Sequence, residues 1–380
     1  MDSTEITELT KGFESIRVKH EKQERAKERL VFTVEHGANV SIVVLTGPTG
    51  TGKSTILDLF CVEYLQGRAA AMKADPSLRP IVYSLARASG HRAFEWKSLY
   101  RDALKDNGDP FAQARAHRKD KRTPAFLLPG ESVSTGLMRE QMEQTFDANE
   151  TSAWIIDEGQ HILSGTRSGG PGDQFDVLKS IAQTTQSRLI VCGTPDLPDV
   201  MATSGQLARR GDVVSLNRYR WDVKAELRTL ASVMSTMLKK IPSNSVYPNV
   251  TQHLKFFYLG CLGCVGIFKD WVARAYALSL LEGSAAIKIE HFAATRLSAK
   301  SLATINAEII KAEENYGDDV QELDAALVKS ILHPKPLPAR RCAKQVGGGK
   351  TAAKTAHGSA RPKSTAKPGE RNPSRDAVGP

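Results

Sequence analysis

"VSIVVLTGPTGTGKSTILDLF" (residues 40–60) decides the fold. A β-branched apolar run enters a glycine-rich turn, and the turn passes into apolar residues at helical spacing. That order reads as a buried strand over 39–47, a tight loop, and a helix over 54–65. The turn "GPTGTGKS" (47–54) fits G-x-x-x-x-G-K-S/T, and a strand before it and a helix after it are the context that motif requires. Gly47, Gly50 and Gly52 let the backbone wrap closely around a phosphate, with N–H groups and a helix N-terminus aimed at the anion. Pro48, Thr49, Thr51 and Thr55 complete the expected nucleotide-binding loop. Lys53 is expected on the β- and γ-phosphates of ATP, and the Ser54 hydroxyl on Mg2+.

A second apolar run, "TSAWIIDEGQHI" (151–162), ends in adjacent carboxylates. A buried strand gains nothing from finishing on two like charges. Beside a phosphate loop the pair has a use, because ligands bind at the C-terminal ends of parallel strands. Asp157 is expected in the Mg2+ shell. Glu158 is expected to orient and polarise a water for attack on the γ-phosphate, which favours hydrolysis over phosphate transfer to a metabolite. Thr194, in "VCGTPD", can hydrogen-bond that water or the γ-phosphate, or simply start a turn before Pro195. Arg209 and Arg210, in "QLARRGDVVSL", can supply the extra positive charge that phosphoryl transfer needs, from a neighbouring subunit.

Short strands over 79–86, 152–157, 187–194 and 211–219 alternate with helical patterns over 94–108 and 175–185, which implies a parallel sheet covered on both faces. The chain is therefore expected to be α/β, with a nucleotide-binding core over 31–219. From about Arg220 every patterned segment reads as helical, giving a small all-α domain over 220–330. Residues 1–30 read as a charged extension with a surface helix or arm.

Formal net charge is +10 over 380 residues, but from Pro334 onward 11 Lys/Arg face only 2 Asp/Glu. The body is close to neutral. The tail, 331–380, is rich in Pro, Gly, Ala, Lys and Ser and is expected to be disordered; it reads as a basic arm on nucleic acid or as a solvated tail. Five cysteines, an odd number, fit a reducing compartment better than a disulfide framework. No membrane span or secretory signal is expected. Cys261 and Cys264 form a C-x-x-C without a second pair, so helix packing is expected rather than zinc. Trp96 and Tyr100 read as packing residues, and His161 as a helix-start residue. The basic loop Arg115, His117, Arg118, Lys119, Lys121 and Arg122 can contact a DNA backbone or be solvated.

"LTGPTGTGKST", "FEWKSLY", "WIIDEGQHI", "CGTPDL", "QLARRG", "LGCLGCVGIFKDWVARA" and "SLATINAEIIKAEE" together resemble the AAA+ ATPases, and within them the TnsC/TniB transposition regulators, relatives of MuB and IstB. The resemblance covers roughly residues 30–315. It implies a P-loop NTPase of AAA+ type with a helical lid. It further implies ATP-dependent assembly into a homo-oligomeric ring or filament on double-stranded DNA, and hydrolysis that disassembles it. The implied partners are a target selector of the TniQ/TnsD type and transposase subunits, in a bacterial cytoplasm. The family's lid carries a sensor near the γ-phosphate, usually an Arg after a Gly; in "GCVGIFKD" the nearest basic residue is Lys269. DNA contacts are expected from Arg87 and Arg92 and from Arg115, Arg118, Lys119, Lys121 and Arg122. The competing readings are a P-loop ATPase switching protein partners without DNA and, less favoured by Glu158 and the Arg pair, a small-molecule kinase.

Overall fold

The computed structural model describes residues 3–88, 94–108, 134–163, 171–202, 205–241 and 247–316. β1 (Ile42–Thr46) belongs to a five-stranded, wholly parallel sheet of order β2-β3-β4-β1-β5. The other strands are β2 (Ile81–Leu85), β3 (Ala153–Asp157), β4 (Arg188–Gly193) and β5 (Gly211–Ser215). Each lies within the stretch expected from its apolar run. Helices α1 (Ser3–Glu14) and α2 (Glu21–His36) precede β1, and α3 (Lys53–Gly67) and α4 (Ala69–Ala74) follow it. Between β2 and β3 lie α5 (Trp96–Asp106) and α6 (Thr135–Ala148); between β3 and β4, α7 (Gln160–Leu163) and α8 (Pro171–Thr185); between β4 and β5, α9 (Leu197–Ala202) and α10 (Gly205–Arg210).

All five residues of β1 and of β3 are buried, as a sheet covered on both faces requires. Alternate side chains enter two cores. Val44, Trp154, Ile156 and Val191 pack with Tyr100, Met142, Phe146 and Phe175 on one face. Val43, Leu45, Ile155 and Ile190 pack with Leu30, Ile56 and Phe60 on the other. Each such side chain contributes about 1.5–3 kcal/mol through burial. Trp96 and Tyr100 are packing residues: the Trp96 indole donates to Gln174 Oε1 at 2.8 Å, and Tyr100 is buried.

The charged N-terminal segment differs from an exposed arm. Gln23, Ala26, Lys27, Leu30, Thr33 and Val34 of α2 are buried, a helical stripe that the density of charge conceals. Those charges are largely neutralised on the spot: Lys22 pairs with Glu226, Lys27 with Glu24 and Glu63, Arg29 with Asp212, and Arg25 with Glu21. The helix runs through residue 30, where the sequence suggested a boundary.

The helical part after β5, the segment expected as a lid, contains α11 (Lys224–Lys239), α12 (Leu254–Cys261), α13 (Val265–Leu281), α14 (Ile289–Thr295) and α15 (Ala299–Tyr316). Leu230, Met234, Phe257, Phe268, Trp271 and Phe292 form its core, joined by Phe13 of α1. The helical stretch around "LGCLGCVG" is divided: Leu262 and Gly263 take φ 55° and 80°, and α12 meets α13 at 106°. That corner brings the first turn of α13 onto the phosphate loop. Among the described residues no single helix is long and apolar enough to cross a membrane.

Candidate functional site

Parallel register sets Thr46 beside Gly193 and Leu85 beside Asp157, so the C-terminal ends of β1, β3 and β4 form one rim. A cleft of about 320 Å3 lies there, lined by Thr49, Gly50, Gly52, Lys53, Ser54, Thr55, Asp157, Glu158, Gln160, Gly193, Thr194 and Gly266. The segments singled out in sequence thus converge on one place, although Gly47, Pro48 and Thr51 support the loop from behind. Thr51 Oγ1 donates to the Pro48 carbonyl at 2.8 Å and is buried.

The glycines of the loop are required by geometry. Gly50 has φ 78°, and a Cβ there would lie 2.5 Å from Ile267 Cγ1. Gly52 has φ 101° and immediately precedes the first helical residue, Lys53; such angles are routine only for glycine. Lys53 Nζ donates to the carbonyl oxygens of Gly47 at 2.7 Å and Pro48 at 3.1 Å. Burial lowers its pKa from the ordinary lysine value, while Glu158 and Asp157 are among the groups pulling the other way. A half-buried ammonium at a helix N-terminus is a binding site for an anion.

Asp157 is fixed from three sides. Tyr83 Oη donates to Oδ2 at 2.7 Å, the Glu158 N–H donates to Oδ1 at 2.8 Å, and Ser54 Oγ stands 3.5 Å from Oδ2. A hydroxyl and a carboxylate oxygen side by side form a donor set suited to a hard divalent cation, so these residues fit Mg2+ carried with a nucleotide. Burial and then the Asp157 hydrogen bond raise the Tyr83 pKa, so its phenol remains a proton donor. Glu158 takes φ 55°, uncommon for a non-glycine residue and a reason to look for function. The turn brings its carboxylate to the cleft, where Gln160 Nε2 donates to Oε2. Thr194 lines the same cleft, and its carbonyl accepts from Thr46 Oγ1 at 3.0 Å.

Two expected groups stand elsewhere. Arg209 and Arg210 end α10, and the Arg210 carbonyl accepts from Ser41 N–H at 2.8 Å. That contact lies at the N-terminal ends of β1 and β5, opposite the cleft; a five-residue strand separates the two edges by about 16 Å. The pair therefore does not reach its own chain's phosphate loop. Lys269 donates to the Glu14 carbonyl and does not line the cleft, because it lies a helical turn beyond the lid's contact with the loop. That contact is made by Gly266, whose N–H donates to the Gly50 carbonyl at 2.7 Å. A Cβ at Gly266 would lie 2.6 Å from the same oxygen. Arg87 is exposed and pairs with Asp102 at 3.3 Å. Arg92, Arg115, Arg118, Lys119, Lys121, Arg122 and the tail lie outside the described residues. Cys261 and Cys264 are free and buried, and among the described residues no group of three or more His, Cys, Asp or Glu could hold a metal ion.

Sequence reasoning passed over Tyr83, Gln160 and Gly266. Gln160 was within sight, three residues after Asp157 in the quoted motif. Tyr83 shares a strand face with Ile81, which is partly buried as well, and nothing local distinguishes it.

Residues 38–201 match the family described as the AAA domain. Among solved structures, the ORC2 protein of Aeropyrum pernix in ADPNP–ADP complexes is similar at a TM-score of 0.50 and 14% identity, covering 74% of this chain and 68% of that one. Cdc6p of Pyrobaculum aerophilum is similar at 0.50 and 12%, covering 74% and 68%. The ORC1 protein of Aeropyrum pernix in complex with DNA scores 0.49 at 15% identity, covering 83% and 73%. No curated protein matches by sequence. The matched AAA domain, the parallel sheet and the helical part that follows it establish the fold as that of an AAA+ P-loop NTPase.

Proposed function

We propose that the chain is an ATP-hydrolysing, DNA-binding AAA+ regulator of transposition, which assembles on double-stranded target DNA and couples a TniQ/TnsD-type target selector to the transposase. The observation that carries the ATPase part is the convergence of Lys53, Ser54, Asp157, Glu158 and Thr194 on one cleft. In this reading Lys53 and the loop N–H groups hold the phosphates, and Ser54 with Asp157 holds Mg2+. Glu158 accepts the proton of the attacking water, and Thr194 hydrogen-bonds the water or the γ-phosphate. Mg2+ supplies charge neutralisation at the phosphates when bound. Arg209 and Arg210, on the opposite edge of the sheet, act on the neighbouring subunit's nucleotide, which makes hydrolysis a property of the assembly.

The DNA part rests on the family resemblance and the basic segments 115–122 and 335–375. The cations of 16–29 add nothing to it, because most are paired within the chain. That neutralisation favours the second reading, a nucleotide switch acting on protein partners. The test is DNA binding by a chain cut near residue 333, with and without ATP. Assembly on DNA predicts sequence-independent, ATP-dependent binding, with log affinity falling about 0.9 per phosphate contacted for each tenfold rise in salt. No binding in ATP at low salt leaves the protein-directed switch.

A further inference from the structure

Gln160 opens α7 and lines the cleft beside Glu158. The turn that carries it is clamped to β4: the Gly159 N–H donates to the Cys192 carbonyl at 2.7 Å. Gly193 gives the Gln160 side chain its space, since a Cβ at that position would collide with Gln160 Oε1. From this seat Nε2 donates to Glu158 Oε2. A carboxylate only accepts, so the amide must present its NH2 to Glu158 and turn its oxygen inward. Oε1 is indeed buried and has no hydrogen-bond partner. Leaving an amide oxygen unpaired is unfavourable, and that orientation persists here together with the bond to Glu158.

The backbone of Glu158 is already fixed, by its left-handed conformation and by its N–H on Asp157 Oδ1. Its side chain still has rotatable bonds, and the Gln160 amide is the group that holds the carboxylate. A hydrogen bond to an ionised acceptor is stronger than a neutral one, enough to select one rotamer. We propose that Gln160 is a positioning residue for Glu158, setting the direction from which the carboxylate meets the attacking water. The proposal rests on the assignment of Glu158 as the water-polarising group. On this view the motif extends through Asp157, Glu158 and Gln160, and Gly193 is small because Gln160 needs the room.

The test is Gln160→Met, which keeps the length of the side chain, loses the hydrogen bond and removes the unpaired oxygen, so that folding is not put at risk. Gln160→Ala is the second variant. The expected result is an unchanged KM and an unchanged equilibrium affinity for a fluorescent ATP analogue. The kcat should fall about 10- to 100-fold, since a displacement of about 1 Å can cost about a hundredfold. Because Gln160 acts through Glu158, adding Gln160→Met to Glu158→Gln should lower kcat no further than Glu158→Gln alone. Wild-type kcat in Gln160→Met, with Glu158→Gln inactive, overturns the role of Gln160 and leaves that of Glu158 standing. So does a double variant whose loss is the product of the two single losses. Wild-type turnover in Glu158→Gln itself overturns the underlying assignment instead.

Discussion

Gly266→Ala separates the lid's grip on the phosphate loop from the lid's own stability. Gly266 sits in the first turn of α13 without a positive φ, so alanine there gains about 0.5–1 kcal/mol of helix stability. The added methyl would lie 2.6 Å from the Gly50 carbonyl oxygen and 3.2 Å from Gly50 Cα, roughly 0.5–1 Å inside ordinary van der Waals separation. The loop or the helix must retreat. The 2.7 Å bond from Gly266 N–H to Gly50 O is then lost, which costs about 0.5–1.5 kcal/mol. In global unfolding the two terms nearly cancel, and the melting temperature should hardly move. Nucleotide binding is expected to feel the second term, because Gly50 and Gly266 both line the cleft. A loss of about 1–1.4 kcal/mol weakens affinity about five- to tenfold. Titration with a fluorescent ATP analogue alongside a thermal melt reads both. Unchanged affinity would refute the coupling. Weakened affinity with a matching drop in melting temperature would show plain destabilisation.

Lys53→Ala removes a half-buried cation from the phosphate site and should weaken ATP binding at least about tenfold to a hundredfold, the worth of a charge-assisted hydrogen bond; equilibrium titration checks this. Glu158→Gln should bind ATP with wild-type affinity while hydrolysis falls about 10²–10⁴-fold, seen by steady-state phosphate release. The double variant Arg209→Ala/Arg210→Ala should bind ATP and hydrolyse it poorly. Mixed with Lys53→Ala protein it should regain turnover, because the binding-deficient subunit lends its arginines; no recovery between folded proteins would argue against a shared site.

The sheet was legible because each strand is a short β-branched run and the phosphate loop fixes which end of the sheet matters. The cleft was legible for the same reason: Asp157 and Thr194 each end an expected strand, and Lys53 lies in the loop that follows one. What was hidden depends on contacts distant in sequence. The burial of α2 could not be seen through its charges, since Lys27 is satisfied by Glu63 on α3. The α12–α13 corner depends on Leu262 accepting a left-handed conformation next to Gly263, and without that corner Gly266 cannot be placed on the loop. Lys269 was the nearest basic residue in sequence, but the helical turn carries it to Glu14 instead.

His20 links the α12–α13 corner to pH. It precedes α2, is buried, and its Nδ1 shares a 2.9 Å hydrogen bond with Tyr219 Oη. Tyr219 in turn is held by the lid: its N–H donates to the Gly263 carbonyl at 3.0 Å, and its own carbonyl accepts from Tyr258 Oη at 2.9 Å. Burial first, and the Lys22 charge second, push the His20 pKa down from 6.5 to about 4, against the opposing pull of Glu24. Between those values the unfolded chain binds the proton that the folded chain refuses, so stability rises with pH. The contribution is fully present above about pH 6.5 and is lost as pH falls toward about 4. From pH 7 to pH 5 the loss assigned to this residue is about 2 kcal/mol. His20→Gln keeps a hydrogen-bonding group for Tyr219 without a titrating ring, so its unfolding free energy should fall less over that interval, by about that amount, in urea titrations. Carboxylates titrate alike in both proteins and cancel in the difference. Parallel pH dependence in the two proteins would mean that His20 takes up its proton in the folded protein as readily as in the unfolded chain, and that the corner carries no such sensitivity.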